Sequence, residues 1–313
     1  MLSFFLFRHG LIMPDVLAEK LQLFFATEQP EARRIFHGRG HCYPGFEHLC
    51  LDWFGPVVLI STWQPHDNPE TLTQQILEAD VNRQVESIML QHRYVDQSPA
   101  ETLYGSEPGR VIVQSEGLQF EVNPGRRQNA GLFLDMGPMR EWLLANSEGK
   151  NVLNLFAYTC ALSVAALAGG AASVTNVDMS RPSIEWGMRN HQLNDQDIAR
   201  IHNVPHNLFT SWGKLKQFGR YDLVIIDPPA RQKGSFDAER DYKSVVKRLP
   251  KLCNPGAIII AALNSPFLGR DFLLDVFSKE LPTTNFAGWM PVARAFEESD
   301  AEKGLKIARI EMP

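Results

Sequence analysis

Residues 151–178 read NVLNLFAYTCALSVAALAGGAASVTNVD, and the fold follows from how this stretch divides. Val152 to Ala157 is a strand-like apolar run that breaks into a short polar stretch at Tyr158 and Thr159. Leu162 to Ala168 then reads as an Ala-rich helix. Ser173 to Val177 is a second apolar run, closed by Asp178. The alternation continues downstream. Ser183 to His191 is helix-like, and Arg200 to Val204, Tyr221 to Ile226 and Ala257 to Leu263 are strand-like. Leu305 to Met312 alternates in the manner of an edge strand. Strand–helix alternation at this spacing predicts an α/β fold with a parallel, doubly wound sheet. Such sheets bind ligands beyond the carboxyl ends of their strands.

The front of the chain has a different texture. Val57-Val-Leu-Ile60 follows Gly55-Pro56 and reads as a buried strand. Asn68 to Gln91 reads as a helix, with Leu72, Ile76 and Leu77 on one stripe and Pro69 in the first turn. Arg110 to Val113 and Leu118 to Val122 flank Glu116-Gly117 as a hairpin. These pieces make a small α+β module over residues 33–125. It is preceded by an N-terminal segment, 1–32, and followed by a second domain, 126–313. The opening apolar run before Arg8 is too short to cross a bilayer, and its charge lies on the wrong side for a signal peptide. It reads as a strand or the start of a helix.

Composition agrees with a two-domain globular chain. Of 313 residues, 44% are hydrophobic and 21% charged, which excludes disorder, collagen-like repeats and a small disulfide scaffold. Four Cys in so long a chain point to a reducing compartment, the cytoplasm. The net charge of -5 argues against a protein that coats nucleic acid non-specifically. The charge is uneven: residues 1–150 carry 12 Lys/Arg and 19 Asp/Glu, whereas residues 151–313 carry 19 and 17.

Four strand ends carry candidate chemistry. Asn154 to Ser163 is a loop of small and polar residues running into a helix, whose N-terminus offers free N–H donors. It lacks the glycines of a dinucleotide or phosphate-loop fingerprint, and an ordinary turn is the competing reading. Asp178 stands where a carboxylate can accept both hydroxyls of a ribose, or can cap the next helix. Asn207 can pair with the edge of an adenine, or be a polar loop residue. Asp227-Pro228-Pro229-Ala230 ends an apolar strand in a stiff turn without N–H donors, leaving Asp227 and its carbonyls free for a ligand.

Taken together, these ends resemble the motif I loop, ribose acid, adenine position and motif IV of the class I S-adenosylmethionine-dependent methyltransferases. The segment Arg127-Gln128-Asn-Ala-Gly-Leu-Phe-Leu-Asp135 with Arg140 resembles a Gln-Lys-Thr-Gly-x-Phe-Leu-Asp-Gln-Arg-x-x-Arg segment of the large-subunit 23S rRNA methyltransferases. So does Gly38-Arg-Gly40 through Pro44-Gly45 with Leu51 to Gly55. The resemblance covers roughly residues 33–313. About thirty residues precede it, so the PUA domain common in relatives is not expected here.

That resemblance implies a Rossmann-like sheet of seven strands with the last reversed, and an RNA-facing front module. It implies S-adenosylmethionine as cofactor, held by Phe133, Asn154, Phe156, Ala157, Tyr158, Thr159, Asp178, Met179, Asn207, Leu208 and Asp227. Asp227, Pro228 and Pro229 would be the catalytic turn. The sequence departs from the pattern in several places. Asn154 and Asn207 replace acids, Asn129 and Ala130 replace Lys and Thr, Met136-Gly137 replaces Gln-Arg, and Ala230 replaces a bulky residue.

Carbon methylation of cytosine needs a thiolate that first adds to the ring, and the resemblance implies that it would stand in the turn after the fifth strand or in motif IV. Here those turns read Leu263-Asn264-Ser265-Pro266 and Asp227-Pro-Pro, without Cys. Direct transfer to a base nitrogen is therefore expected. Arg126, Arg127, Arg231 and Lys233 are the expected phosphate contacts, in a stretch that also holds Arg240, Lys243, Lys247, Arg248 and Lys251. Arg33, Arg34 and Arg39 add to them in the front module. A solvated face of mixed charge is the competing reading. Tyr242 or Phe236 is the expected stacking partner for a target base. RNA, ribosomal RNA first, is the expected substrate, with no membrane partner. The alternative is a catalytically weak cofactor- or RNA-binding module of the same fold. Two other signals are set aside: Arg8-His9-Gly10 resembles a histidine phosphatase opening, and His37, His41, Cys42, His48 and Cys50 fit no metal-ligand spacing, so no metal is expected.

Overall fold

The computed structural model describes residues 16–125, 128–229, 231–232 and 236–313. The opening apolar run and Arg8-His9-Gly10 lie outside the described residues. A helix, α1 (Val16–Phe25), precedes a five-stranded sheet of β1 (Arg33–His37), β2 (Leu49–Phe54), β3 (Val57–Thr62), β4 (Ser87–His92) and β5 (Ala100–Tyr104), in that order, with α2 (Pro69–Ala79) crossing from β3 to β4. β3 is apolar on both faces because both are covered. Val58 and Ile60 pack with Leu21, Phe25 and Leu72 of the two helices. Val57 and Leu59 face the other way, into a core shared with the second half of the chain. A strand covered on both sides reads as a continuous apolar run.

The helix expected over Asn68 to Gln91 ends at Ala79. There Asp80 accepts the Val85 N–H at 2.7 Å and Arg83 turns left-handed, with φ 54°. Residues 87–92 then pair with β3 as a parallel strand. Ile88-Met-Leu90 suits either period, and the neighbouring strand decides.

The hairpin forms as expected, with β6 (Val111–Ser115) and β7 (Leu118–Val122) around Glu116-Gly117. The rest of the chain runs α3 (Gly137–Asn146), β8 (Asn151–Leu155), α4 (Ala161–Ala168), β9 (Ser173–Val177), α5 (Arg181–Leu193), β10 (Ile201–Val204), α6 (Leu208–Leu215) and β11 (Tyr221–Ile226). Then come the short pair β12 (Arg231–Gln232) and β13 (Phe236–Asp237), α7 (Ala238–Val246), β14 (Cys253–Asn264), α8 (Arg270–Glu280), β15 (Asn285–Trp289) and β16 (Leu305–Glu311). The large sheet is ordered β10-β9-β8-β11-β14-β16-β15. Its first five strands are parallel, and β16 is antiparallel to both neighbours. This is the expected Rossmann-like sheet with its reversed last strand. The C-terminal strand, however, is not an edge. It lies between β14 and β15, and its Ile307, Ala308 and Ile310 are buried. The edge is β15, whose Asn285-Phe-Ala-Gly-Trp carries no clear apolar pattern. Among the described residues, no helix is long and apolar enough to cross a membrane.

Arg140 of α3 locks the hairpin to this sheet. The residue is 1% exposed. Its guanidinium donates to Glu116, to Ser115 Oγ at 3.1 Å and to the Phe133 carbonyl at 2.8 Å. Removing one partner of a buried ion pair strands the other. Glu116→Ala should therefore lower the unfolding free energy by about 3–5 kcal/mol, and the paired Glu116→Ala, Arg140→Met change should cost much less. Urea unfolding measures both; equal losses would show no coupling between the two groups.

Candidate functional site

β8 runs into the loop 156–160, where the backbone turns left-handed at Phe156 (φ 63°), Tyr158 (φ 46°) and Cys160 (φ 62°). An L side chain in this region costs about 1–2 kcal/mol, which is why glycines are usual there. The glycines are absent and the path is kept, because neighbours hold it. Tyr158 N–H donates to Asp178 Oδ2 and Ala157 N–H to the Val177 carbonyl, both at 2.9 Å. Thr159 Oγ1 donates to the Gly131 carbonyl at 2.6 Å, and Asn190 Nδ2 to the Thr159 carbonyl at 2.9 Å. Close packing completes the clamp: a Cβ on Gly187 would lie 2.3 Å from Cys160 Sγ.

The loop forms one wall of a cavity of about 600 Å³ at the carboxyl ends of the parallel strands, within the range small-molecule ligands occupy. β8 leads toward β9 and β10 on one side of the sheet and β11 toward β14 on the other, so the cavity lies at the switch point. Asp178, at the end of β9, also accepts the Ser180 N–H at 2.8 Å. Each of its oxygens keeps a second lone pair. Burial raises the carboxyl's pKa, and the two N–H groups oppose that rise. Asn207 caps α6, its Oδ1 accepting the Phe209 N–H at 2.8 Å, which leaves its NH₂ group and one lone pair on Oδ1 for a ligand. Met179 and Phe133 leave apolar surface open at the cavity, 49% and 43% exposed.

Two more carboxylates share the cavity. Asp227 stands at the end of β11, and Asp135 lies in the turn before α3. Burial and the charge of Asp135 push the Asp227 carboxyl up to about 7. Burial also raises Asp135, against the pull of Arg34 and Arg140. The guanidinium of Arg140 is already bound to Glu116. A cavity with three carboxylates suits a ligand that carries positive charge.

The structure thus brings Phe133, Phe156, Ala157, Tyr158, Thr159, Asp178, Met179, Asn207, Leu208, Asp227, Pro228 and Pro229 to one place. Asn154 is not among them. It is 1% exposed and turned along the sheet, where Asn154 Nδ2 donates to Asn176 Oδ1 at 3.1 Å and Asn176 Nδ2 to Asn203 Oδ1 at 3.2 Å. The register of β8, β9 and β10 aligns these three amides as a ladder. Tyr242 and Phe236 are also misplaced by the sequence reading. Both are buried: Tyr242 lies on the inner face of α7 with its OH on the Ala262 carbonyl, and Phe236 packs edge-on against Phe156. Neither is open to a base.

Arg126, Arg127 and Lys233 lie outside the described residues; Arg231 is described only by its backbone pairing with Asp237. Several other expected phosphate contacts are occupied. Arg240 pairs with Asp241, Lys247 with Glu280, Arg34 with Asp52 and Arg33 with Glu31. His37 and Cys50 are neighbours at 3.6 Å, while His48 faces His66. Gln128, Asn129, Asp135, Arg140, Ser180, His206 and Asn264 line the cavity and were not anticipated as site residues. Asp135 and Arg140 belong to the segment 127–140, whose motif was legible without its geometry.

Gly187→Ala should destabilise the chain by about 1–3 kcal/mol through overpacking against Cys160. In a Cys160→Gly background the same change should cost far less. Denaturant unfolding of the cycle tests this, and additive losses would contradict the contact.

A family model described as S-adenosylmethionine-dependent methyltransferase matches residues 33–310. The chain is 30% identical over 250 residues to the ribosomal RNA large subunit methyltransferase K/L of Hahella chejuensis, covering 72% of this chain and 33% of that protein. It is 32% identical over 276 residues to the protein of the same description from Shewanella sediminis, covering 84% and 37%. The chain therefore spans about a third of the length of these relatives. A methyltransferase solved in complex with SAH and an S-adenosylmethionine-dependent methyltransferase from Streptococcus mutans each superpose with a TM-score of 0.81 at 24% identity, over 95% of this chain and 81% of theirs, which is a likeness of fold. With a seven-stranded sheet of this order and a family match over nearly its whole length, the chain belongs to the S-adenosylmethionine-dependent methyltransferases.

Proposed function

We propose that this chain methylates RNA, ribosomal RNA in the first place, at a base nitrogen, and works in the cytoplasm. The observation that carries this reading is the Asp227-Pro228-Pro229 turn, which lines the same cavity as Asp178. The relatives' names support ribosomal RNA. Residues 126–313 act as the catalytic domain, 33–125 as an accessory RNA-binding module and 1–32 as a leading segment.

The residues present fit S-adenosylmethionine. Its sulfonium and amino group are cationic, and the cavity is acidic. Asp178 has lone pairs for the ribose hydroxyls. Met179, Leu208 and the Asn207 side-chain amide would hold the adenine, and Phe133 with residues 156–159 would hold the remainder. When bound, the cofactor supplies an already activated methyl group. Asp227 and the Pro228 carbonyl accept hydrogen bonds from the target amino group and orient its lone pair. When the amino nitrogen takes up the methyl group, Asp227 would accept the proton that nitrogen gives up. A base within a duplex must first be swung out. Covalent attack on carbon has no agent here. Cys160 is buried and its thiol held far above the usual range, and burial pushes Cys253 up to about 12. The amide at 154 does not weaken this reading, because Asn154 is off the cavity.

Asp227→Ala should lower methyl transfer by about a hundredfold or more. Labelled S-adenosylmethionine and RNA from cells lacking the enzyme measure this; label that persists in RNA with the variant would sink the role. Asp227 must be ionised to accept the proton, so kcat/KM should rise with pH through about 7. Asp135→Asn removes a like charge, lowers the Asp227 pKa and should shift that rise to lower pH. A profile that does not move would contradict the coupling.

A further inference from the structure

The front module carries a charge arrangement that the cavity does not use. Trp63, just past β3, is flanked by two guanidiniums: Arg39 lies 4.2 Å and Arg93 5.4 Å from its ring centre. The ring is fixed by its backbone, Trp63 N–H donating to the His48 carbonyl at 2.9 Å, and Arg93 N–H donates to the Thr62 carbonyl at 2.8 Å. Among the described residues neither guanidinium meets a carboxylate. The nearby acid, Asp52, is taken by Arg34, with contacts of 2.5 and 3.0 Å. Arg34 thus takes Asp52, while Arg39 and Arg93 lie together without a contacting carboxylate among the described residues, in a chain whose net charge is -5. Arg93 is held below its usual range by burial first and by the charge of Arg39 second, and Asp52 and Cys50 oppose this only in part.

The place is as informative as the charge. Arg93 donates to the carbonyl of Gln128, and Gln128 lines the cavity. We infer that Arg39 and Arg93, held on the Trp63 ring, form a phosphate subsite for the RNA backbone next to the target base. The inference rests on the RNA reading above. Phosphate oxygens that meet the two guanidiniums would take the place of the missing carboxylates, and Trp63 is a positioning residue that orders the two donors in advance.

The test compares wild type, Arg39→Ala/Arg93→Ala and the charge-keeping Arg39→Lys/Arg93→Lys. Labelled S-adenosylmethionine and protein-free large-subunit RNA from cells lacking the enzyme are used across a salt series. The alanine pair should raise KM for RNA about tenfold, and reduce the salt slope by about 1.4, roughly 0.7 for each lost contact. Cofactor affinity by calorimetry should not change, and the lysine pair should recover the slope. Wild type active on RNA, with KM and slope unchanged in the alanine pair, overturns the subsite and leaves the function standing. No transfer to RNA by a wild type that binds cofactor overturns both. Loss on ribosomal particles but not on protein-free RNA overturns the subsite in favour of an acidic protein partner. If the alanine pair loses cofactor affinity, the exposed single change Arg39→Gln serves instead, with about half the slope change expected and an unchanged slope overturning the subsite.

Discussion

Asp178 accepts hydrogen bonds from two backbone N–H groups, Tyr158 at 2.9 Å and Ser180 at 2.8 Å. One belongs to the left-handed loop after β8, the other to the entry of α5. The loop holds three residues in a backbone region that favours glycine, and it has no glycine of its own. That path persists because Asp178, Asn190 and the Gly131 carbonyl fix it from outside. The starts of two helices and one wall of the cavity therefore depend on a carboxylate whose burial is itself unfavourable. Such an arrangement is stable only while its hydrogen bonds are all made.

Charge is separated over a short distance. The cavity gathers Asp135, Asp178 and Asp227, and the front sheet beside it gathers Arg39 and Arg93. A cationic cofactor and the anionic polymer proposed as substrate ask for opposite fields, and the cavity and the front module differ in charge in that sense. The net charge of -5 hides this division. The contacts of residues 296–299 with the front module keep the two surfaces together: Phe296 lies under Arg34 at 4.3 Å, and Ser299 N–H donates to the Gly40 carbonyl at 2.7 Å.

Much of the large sheet was legible because its strands are buried and end in residues of restricted geometry. Tyr221 to Ile226 followed by Asp-Pro-Pro admits few other structures, and Ser173 to Val177 with Asp178 is nearly as clear. β4 was misread because Ile88 to Leu90 is apolar at either period, and only the neighbouring β3 selects the strand. β15 was invisible because an edge strand with one covered face needs no strong pattern. At the site, position along the chain was mistaken for direction of the side chain. Asn154 ends its strand in the right place and points along the sheet. Tyr242 follows the Asp227-Pro228-Pro229 turn but lies on the inner face of an amphipathic helix. Basic residues could be counted, whereas their partners at Asp241, Glu280 and Asp52 are set by folding.

The amide ladder through Asn154, Asn176 and Asn203 has an evolutionary consequence. Each NH₂ group donates to the next carbonyl, Asn203 ends on Met188 Sδ at 2.9 Å, and Asn154 Oδ1 has no partner among the described residues. The chain of donors has one direction, so exchanging the middle amide for an acid removes the donor on which Asn203 relies. A change at one rung alters the selection on the other two. The three positions should drift through sequence space as a linked set, and an amide at 154 records the history of its neighbours as much as any demand of the ligand.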